Sequence, residues 1–232
     1  MRLHRFFTSS PIHEGEINTF PDPQIAHQLR RVFRLHQGDN AVFFDGSGFD
    51  YVSELTSLTD NTFSFRVLEK IVIKRRAKRD VFIALSLIKK DNFELVVQKC
   101  VELGAAGFIP LLSDRSEKKG FNRSRIEKIV IEACEQSGRG DIPDISELVT
   151  FDEFIQGETR KIIAFNTTGE TFSTENVSDA DPVVACIGPE GGWTDEEIDT
   201  LRKKGAIVAR LDAPVLRAET AAIAAATLFL LL

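Results

Sequence analysis

The residues best suited to holding a ligand form a glycine-rich stretch late in the chain, Ile187-Gly188-Pro189-Glu190-Gly191-Gly192. The segment before it, residues 181–187, is short and apolar, which is typical of a buried parallel strand. After it, Thr194 followed three residues later by Glu197 is a capping-box pattern that opens a helix. Open α/β sheets usually bind small ligands at such a strand-to-helix loop. The same glycines also fit a tight turn that holds no ligand.

The acidic residues around this loop restrict the kind of ligand. A phosphate-binding P-loop needs a lysine, whereas here Glu190 lies in the loop and residues 195–197 are all acidic. Their carboxylates satisfy the helix dipole and would repel a polyphosphate. A dinucleotide-binding loop would follow the first strand of its unit with a different spacing. A ligand without phosphates remains, and S-adenosylmethionine fits because its sulfonium tolerates acidic neighbours.

A second cluster, Leu211-Asp212-Ala213-Pro214-Val215-Leu216-Arg217-Ala218-Glu219-Thr220, joins the last predicted strand to the last helix. In a parallel sheet it would emerge at the same edge as the glycine loop. Arg217 and Glu219 are the groups here that could act on a substrate. They could equally form a structural ion pair, and Glu219 could simply compensate the helix dipole.

Alternating strands and helices are predicted to carry these two loops. The apolar runs predict strands at residues 81–87, 108–112, 161–165, 183–187 and 207–211. Asp91 is expected to cap a helix ending at Gly104, Asn122 one ending near Gly138, and a last helix spans residues 218–232. This alternation predicts an α/β domain with a mostly parallel sheet and helices on both faces.

The first 73 residues show a different pattern. Short strands are predicted at residues 2–7, 41–45, 49–58 and 62–71, with a turn at 46–48, which suggests a small β-barrel. The basic stretch 74–79 is interpreted as a linker, so the predicted domains are residues 1–73 and 80–232. Residues 1–79 carry a net charge of +3 and residues 80–232 one of −9, which favours an N-terminal module that meets phosphates.

Composition restricts the remaining possibilities. The chain has 232 residues, of which 43% are hydrophobic and 28% charged, as in ordinary globular proteins. Three widely spaced cysteines and four histidines show neither a disulfide framework nor metal-ligand spacing, so no metal is expected. The N-terminus has no signal-peptide pattern and the apolar C-terminal run is too short for a bilayer. A cytoplasmic protein without a membrane segment is expected.

The two loops together resemble the bacterial RsmE family, SPOUT-class methyltransferases that act on N3 of a uridine in 16S ribosomal RNA. The resemblance is carried by residues 187–192 with Val215-Leu216-Arg217-Ala218-Glu219-Thr220-Ala221. Further motifs in family order are His4-Arg5-Phe6-Phe7, residues 29–35 with Gly38-Asp39, residues 98–104 and residues 132–139. The glycine loop alone is shared with other SPOUT enzymes, whereas the full set is specific.

The resemblance implies a PUA-like barrel that binds RNA, a SPOUT domain with a C-terminal trefoil knot, and a homodimer acting on the small ribosomal subunit. The residues that it implies for S-adenosylmethionine are Phe165, Asn166, Ile187, Gly188, Pro189, Glu190, Gly191, Gly192, Leu211, Val215, Leu216, Thr220 and Ala221. The arginines expected to contact RNA, or else to be solvated surface charges, are Arg2, Arg5, Arg30, Arg31, Arg34 and Arg139. The family usually has glycine at Asp212 and often arginine at Pro214, so this turn departs from the pattern.

The implied chemistry assigns roles to the two charged residues of the second cluster. Uridine N3 must lose its imide proton, and the negative charge that develops over N3, O2 and O4 can be stabilised by the guanidinium of Arg217. Glu219 would hold Arg217 in place or act as a general base. Two alternatives stay open: a non-catalytic RNA-binding or ribosome-assembly protein, and a SPOUT methyltransferase acting on another RNA.

Overall fold

The computed structural model describes residues 3–73, 77–117, 121–173 and 182–231, and the chain divides into two compact units. The first unit comprises residues 1–75 together with Cys134–Ile142, and the second comprises residues 76–133 and 143–232. Residues 74–76 of the expected linker lie outside the described ranges. Arg79, at the end of this stretch, is 8% exposed and therefore buried, whereas a solvated side chain was expected there. The predicted domain boundaries placed residues 134–142 in the second domain, not in the first.

A five-stranded sheet forms the first unit. Its strands are β1 (Arg5–Phe7), β2 (Ile17–Phe20), β3 (Asn40–Phe44), β4 (Phe49–Leu58) and β5 (Phe63–Val72), in the order β1-β3-β4-β5-β2. Strand β1 pairs parallel with β3, and the other pairings are antiparallel. Helix α1 (Pro23–His27) and a π-helical segment (Gln28–Val32) lie between β2 and β3. The strands predicted from Ala41 to Ile71 are confirmed, whereas β2 and α1 were not predicted.

Phenylalanine rings fill the core of this unit. Phe63 and Phe65 alternate with polar residues along β5, and both are fully buried. The ring of Phe65 stacks on Phe43 with centroids 3.9 Å apart and an interplanar angle of 3°. Alternation at period two therefore places one face of the sheet in the core, as the sequence predicted.

Arg5 and Arg139 have structural positions in the first unit, which corrects the expectation that they contact RNA. The guanidinium of Arg5 is 7% exposed and binds both carboxylate oxygens of Asp50, at 3.0 and 2.6 Å. Its remaining donors reach the backbone carbonyls of Cys134, Glu135 and Arg139. The guanidinium of Arg139 is 9% exposed and pairs with Asp141 at 2.7 Å. The buried guanidiniums of Arg5 and Arg139 bind groups within the protein, so we assign neither of them a contact with an RNA phosphate.

The second unit is an α/β fold around a parallel sheet, as predicted. Its strands are β6 (Val81–Ser86), β7 (Gly107–Leu112), β8 (Asp144–Ile145), β9 (Val149–Thr150), β10 (Lys161–Thr171), β11 (Val183–Ile187) and β12 (Ile207–Arg210). The order is β12-β10-β11-β6-β7-β8, with β9 also pairing β7, and every one of these pairings is parallel. The short strands β8 and β9 were not predicted.

Five helices accompany this sheet in the described part of the chain: α2 (Lys90–Leu103), α3 (Arg123–Ser137), α4 (Phe151–Gly157), α5 (Asp195–Lys203) and α6 (Ala218–Leu231). The predicted cap of α3 is present, since the side-chain oxygen of Asn122 accepts from the backbone N–H of Arg125 at 3.1 Å. The predicted cap of α2 is wrong, because the helix begins at Lys90 and places Asp91 inside its first turn. No helix among the described residues has the length and apolarity needed to span a membrane.

Strand β10 extends beyond its predicted end and is irregular. Phe165 and Glu170 both pair with Ala209 of β12, so the residues between them bulge out of the ladder. At Gly169 the backbone passes so close to β12 that a Cβ atom would lie 2.6 Å from the carbonyl carbon of Ala209. No strand was predicted beyond Phe165, because residues 166–171 are polar and include a glycine.

The three cysteines are free and buried, as expected for small apolar residues. Burial raises the pKa of both Cys100 and Cys134 to about 12, and it raises the pKa of Cys186 further. These thiols therefore stay protonated at neutral pH and are poor nucleophiles.

Candidate active site

The ends of three adjacent strands create one cavity in the second unit. Strand β10 lies between β11 and β12, so the segments that follow all three emerge side by side at the carboxyl edge of the sheet. A cavity of about 810 Å³ lies there and is lined by residues from each segment. This volume falls within the range of about 300–1,000 Å³ that small-molecule sites have.

The glycine loop is tied to the end of β10 through Trp193. The indole Nε1–H donates a 3.1 Å hydrogen bond to the carbonyl of Phe165, and the ring is 6% exposed. Gly188 lies against this ring, since a Cβ atom there would be 3.0 Å from it. Gly192 has φ +69°, in the left-handed region that favours glycine. Tryptophan and both glycines thus fix the conformation of the loop.

A second set of contacts holds the loop from the connection after β7. The guanidinium of Arg115 donates to the carbonyl of Gly191 at 2.8 Å. Glu197 accepts from the backbone N–H of Asp114 at 2.9 Å and from that of Thr194 at 2.8 Å. The capping box predicted at Thr194 is therefore confirmed, and its glutamate also binds a neighbouring loop.

Most residues expected around a methyl donor line the cavity: Phe165, Asn166, Ile187, Gly188, Pro189, Glu190, Gly192, Leu211, Val215, Leu216 and Ala221. Gly191 and Thr220 are not among the lining residues. The carbonyl of Gly191 binds Arg115, and Thr220 is exposed on α6. Val215 lines the cavity with 85% of its surface exposed, so this apolar side chain is left open to solvent.

Arg217 and Glu219 both line the cavity, but they form no ion pair in the described structure. Glu219 is 9% exposed, and its Oε2 atom is buried without a hydrogen-bond partner among the described residues. Arg217 is exposed, and within the same residues its guanidinium makes no hydrogen bond. A buried acceptor left unpaired costs about 1–3 kcal/mol, so a ligand that supplies the missing donor is favoured here.

Several lining residues were missed by the sequence prediction. Lys89 lies in the connection between β6 and α2, Asn92 lies in the first turn of α2, and Glu117 follows β7. The backbone N–H of Lys89 donates to Glu190 at 3.2 Å, which joins this connection to the glycine loop. Arg210 ends β12 and lines the same cavity. Lys89 could have been predicted, because β6 was predicted as a parallel strand and its carboxyl end lies at the same edge of the sheet as the glycine loop.

Metal ligands do not cluster in the described ranges, where no group of three or more His, Cys, Asp or Glu side chains could hold a metal ion. Of the arginines expected to contact RNA, Arg30 and Arg31 lie on the π-helical segment and Arg34 follows it; all are exposed. Arg30 pairs with Asp60 at 2.6 Å. Arg2 lies outside the described residues.

Known proteins resemble the chain over nearly its full length. The family model of the RNA methyltransferase domain matches residues 75–230. Ribosomal RNA small subunit methyltransferase E of Synechocystis is 33% identical, covering 84% of this chain and 67% of its own length. The protein of the same name from Rickettsia conorii is 27% identical, covering 97% of this chain and 94% of its own.

Solved structures agree with this relationship. A methyltransferase from Legionella pneumophila in complex with S-adenosylmethionine has a TM-score of 0.90 and 25% identity, covering 99% of this chain and 97% of its own. Ribosomal RNA small subunit methyltransferase E from Neisseria gonorrhoeae, bound to S-adenosylmethionine, has a TM-score of 0.90 and 27% identity, covering 97% of this chain and 96% of its own. The chain therefore belongs to the RNA methyltransferase family, among the ribosomal RNA small subunit methyltransferases E.

Proposed function

We propose that this protein transfers a methyl group from S-adenosylmethionine to the ribosomal RNA of the small subunit. The observation that carries the proposal is a pair of charged groups in one cavity that have no partner among the described residues: the buried Oε2 of Glu219 and the guanidinium of Arg217. If these loops served only as turns in the fold, there would be no reason for two unpaired charged groups in one cavity. The names of the related proteins support the same reaction and the same RNA.

The cavity suits S-adenosylmethionine in size and in charge. Phe165, Ile187 and Leu216 provide apolar walls, and the glycine loop contributes Gly188 to the lining. Glu190 and the unpartnered Glu219 provide negative charge. A ligand with an ammonium and a sulfonium group and no phosphate matches this set. When bound, it supplies the activated methyl group.

For the target atom we propose N3 of a uridine in 16S ribosomal RNA, on the strength of the motifs around Arg217 and Glu219. The guanidinium of Arg217 is free to face the uracil ring and to stabilise negative charge on O2 and O4. Glu219 lies in the first turn of α6, at the positive end of the helix dipole. Its unpaired oxygen can accept a hydrogen bond from the substrate or hold Arg217 once RNA is bound.

We further propose a trefoil knot in the second unit, a PUA-like barrel in the first, a homodimer, and a cytoplasmic location. The knot and the barrel are supported by the resemblance of the sequence motifs to the SPOUT-class RsmE family. The exposed Arg31 and Arg34 support an RNA-binding role for the first unit. Sedimentation equilibrium of the purified protein tests the homodimer, which a monomer at micromolar concentration would contradict.

The reaction is tested by supplying the purified protein with S-adenosylmethionine and with small ribosomal subunits, or their naked RNA, from cells that lack this protein. Nucleoside mass spectrometry should then find one new methyluridine, modified at N3. Saturable heat on titration with S-adenosylmethionine alone should accompany it. Binding of RNA without binding of this methyl donor would favour a non-catalytic ribosome-assembly protein instead.

Substituting Arg217 tests its role in this reaction. Arg217→Ala should lower kcat about a hundredfold to a thousandfold, the loss that follows removal of a donor to a developing anion. Arg217→Lys should recover part of the rate, because it keeps the charge but not the planar fork. Affinity for S-adenosylmethionine, measured by calorimetry, should change little. A wild-type rate in Arg217→Ala would refute the assignment.

A further inference from the structure

Arg210 occupies a fixed position at the cavity that the proposed reaction does not yet use. It is the last residue of β12, the edge strand of the sheet. Its backbone is held by pairing with Thr171, and its carbonyl accepts from the N–H of Phe172 at 2.9 Å. The side chain lines the cavity and is 44% exposed. The backbone is therefore rigid while the guanidinium remains accessible from solvent.

The guanidinium of Arg210 has weak internal interactions. One nitrogen lies 4.0 Å from a carboxylate oxygen of Asp212, which is beyond hydrogen-bond distance, and Asp212 is itself 83% exposed. Within the described ranges the Arg210 side chain donates no hydrogen bond. Arg115, by contrast, uses its guanidinium to hold the glycine loop. An arginine with open donors at the edge of a cavity is suited to bind an anionic oxygen.

The position of Arg210 indicates which anion it binds. Arg210 ends β12 and Arg217 lies in the connection from β12 to α6, whereas Glu190 and Glu117 follow β11 and β7, across β10 from them. Both arginines among the lining residues therefore lie on the β12 side of the cavity. A methyl donor would lie within the cavity. The guanidinium of Arg210 is half-exposed, so it can also contact an RNA chain that passes over the mouth of the cavity. RNA supplies a phosphate at every nucleotide of such a chain.

We propose that Arg210 binds a backbone phosphate of the substrate RNA next to the methylated nucleotide, and so positions that nucleotide over the cavity. This inference rests on the proposed function, since it assumes that RNA enters this cavity. The phosphate contact fixes the register of the RNA and leaves recognition of the base to other groups. Arg210 is then a substrate-binding residue, distinct from Arg217, which acts on the reacting base.

Arg210→Gln tests the proposal because it removes the charge from a side chain that donates no hydrogen bond to any described residue. The KM for RNA should rise about tenfold, as expected for one lost charge-assisted hydrogen bond, with kcat changed less than threefold. The slope of log affinity for RNA against log salt concentration should fall by about one, the contribution of one phosphate contact. Arg210→Lys should recover most of the affinity, since a phosphate accepts a point charge.

Arg202→Gln is the matched control, because it removes the same charge from an arginine that is 55% exposed on α5 and does not line the cavity. It should leave the KM for RNA and the salt slope at their wild-type values. An unchanged KM and slope in Arg210→Gln would overturn the proposal. A weakened affinity for S-adenosylmethionine with unchanged RNA affinity would also overturn it, since Arg210 would then bind the methyl donor.

Direct RNA binding by the same variants, measured without methyl transfer, separates this inference from the proposed function. If the wild-type protein neither binds S-adenosylmethionine nor methylates RNA, the proposed function fails. The Arg210 assignment would then still be decided by RNA affinity and its salt dependence.

Discussion

Trp193 connects the residues of the glycine loop to the sheet. Its indole N–H binds the carbonyl of Phe165, and its ring packs on Gly188 and on Phe151, whose centroid is 5.8 Å away. The sequence marked the glycines around it but gave this tryptophan no role. A single side chain thus fixes the distance between two of the three segments that line the cavity.

Trp193→Phe should separate this hydrogen bond from the packing of the ring. Losing the hydrogen bond takes a donor from the buried carbonyl of Phe165, so the free energy of unfolding should fall by about 1–2 kcal/mol. Affinity for S-adenosylmethionine should weaken several-fold, because the loop is no longer tied to Phe165. Denaturant unfolding and calorimetry measure the two effects. Phe154→Leu, in the same core, is the control: it should reduce stability without weakening that affinity.

Arg5 shows why the role of a single residue can escape sequence reasoning. An arginine beside aromatic residues is typical of RNA-binding surfaces, and its neighbours along the chain do not contradict that interpretation. Its partners Asp50, Cys134 and Arg139 lie 45 to 134 residues away. Only the folded chain brings them together, so burial of this charge could not be predicted locally.

Strand β10 is the element on which the site depends most. Regular to Phe165, it then bulges and rejoins β12 at Glu170. The bulge places Asn166 and Thr167 in the lining of the cavity. Close approach at Gly169 lets the extended strand return to β12. A strand that ended at Phe165, as the sequence predicted, would leave this wall unsupported.

Gly169→Ala tests this close approach. The added methyl group would lie 2.6 Å from the Ala209 backbone, and neither strand can shift without breaking its ladder. Overpacking of this kind costs about 1–3 kcal/mol, so the melting temperature should fall by several degrees. Gly157→Ala is the control, because a Cβ atom there meets nothing within 4 Å and the melting temperature should hold or rise. Equal melting temperatures for the two variants would contradict this close approach of Gly169 to β12.

Elements with strong periodicity were predictable, and elements made by long-range pairing were not. Val96, Val97 and Cys100 recur at helical spacing and lie buried on α2, and the apolar run from Val183 gave β11. Beyond Asn166 the polar residues of β10 carry no such pattern. Their strand pairing comes from contact with β12, which lies about 40 residues further along the chain.

At the scale of the whole molecule, the two units present different features. The first unit presents Arg31 and Arg34 to solvent, and the second, acidic part of the chain holds the cavity. The sequence predicted a boundary at residues 74–79, with a net charge of +3 over residues 1–79, whereas the first unit itself, residues 1–75 with 134–142, carries a net charge of −1. It did not predict that residues 134–142 join the first unit, because no composition shift marks them.

Replacing Arg30, Arg31 and Arg34 together by glutamine should weaken RNA binding without changing affinity for S-adenosylmethionine. The slope of log affinity against log salt concentration should fall by about two to three, since each lost phosphate contact contributes about one. Filter binding at several salt concentrations measures this slope. A matched triple variant of the exposed Lys128, Arg202 and Lys203 should bind RNA as the wild type does. Unchanged binding by the arginine variant would exclude this surface as the RNA site.

The incorporation of Cys134–Ile142 into the first unit has a consequence for synthesis on the ribosome. Domains generally fold in order as the chain emerges, N-terminal first. Here the carbonyls that receive Arg5 are translated about 130 residues after it. The N-terminal sheet can thus complete its buried arginine network only after residue 142 has left the exit tunnel, when β6, α2 and β7 have already been made. A gene fragment that stops near residue 79 would yield a sheet lacking these acceptors.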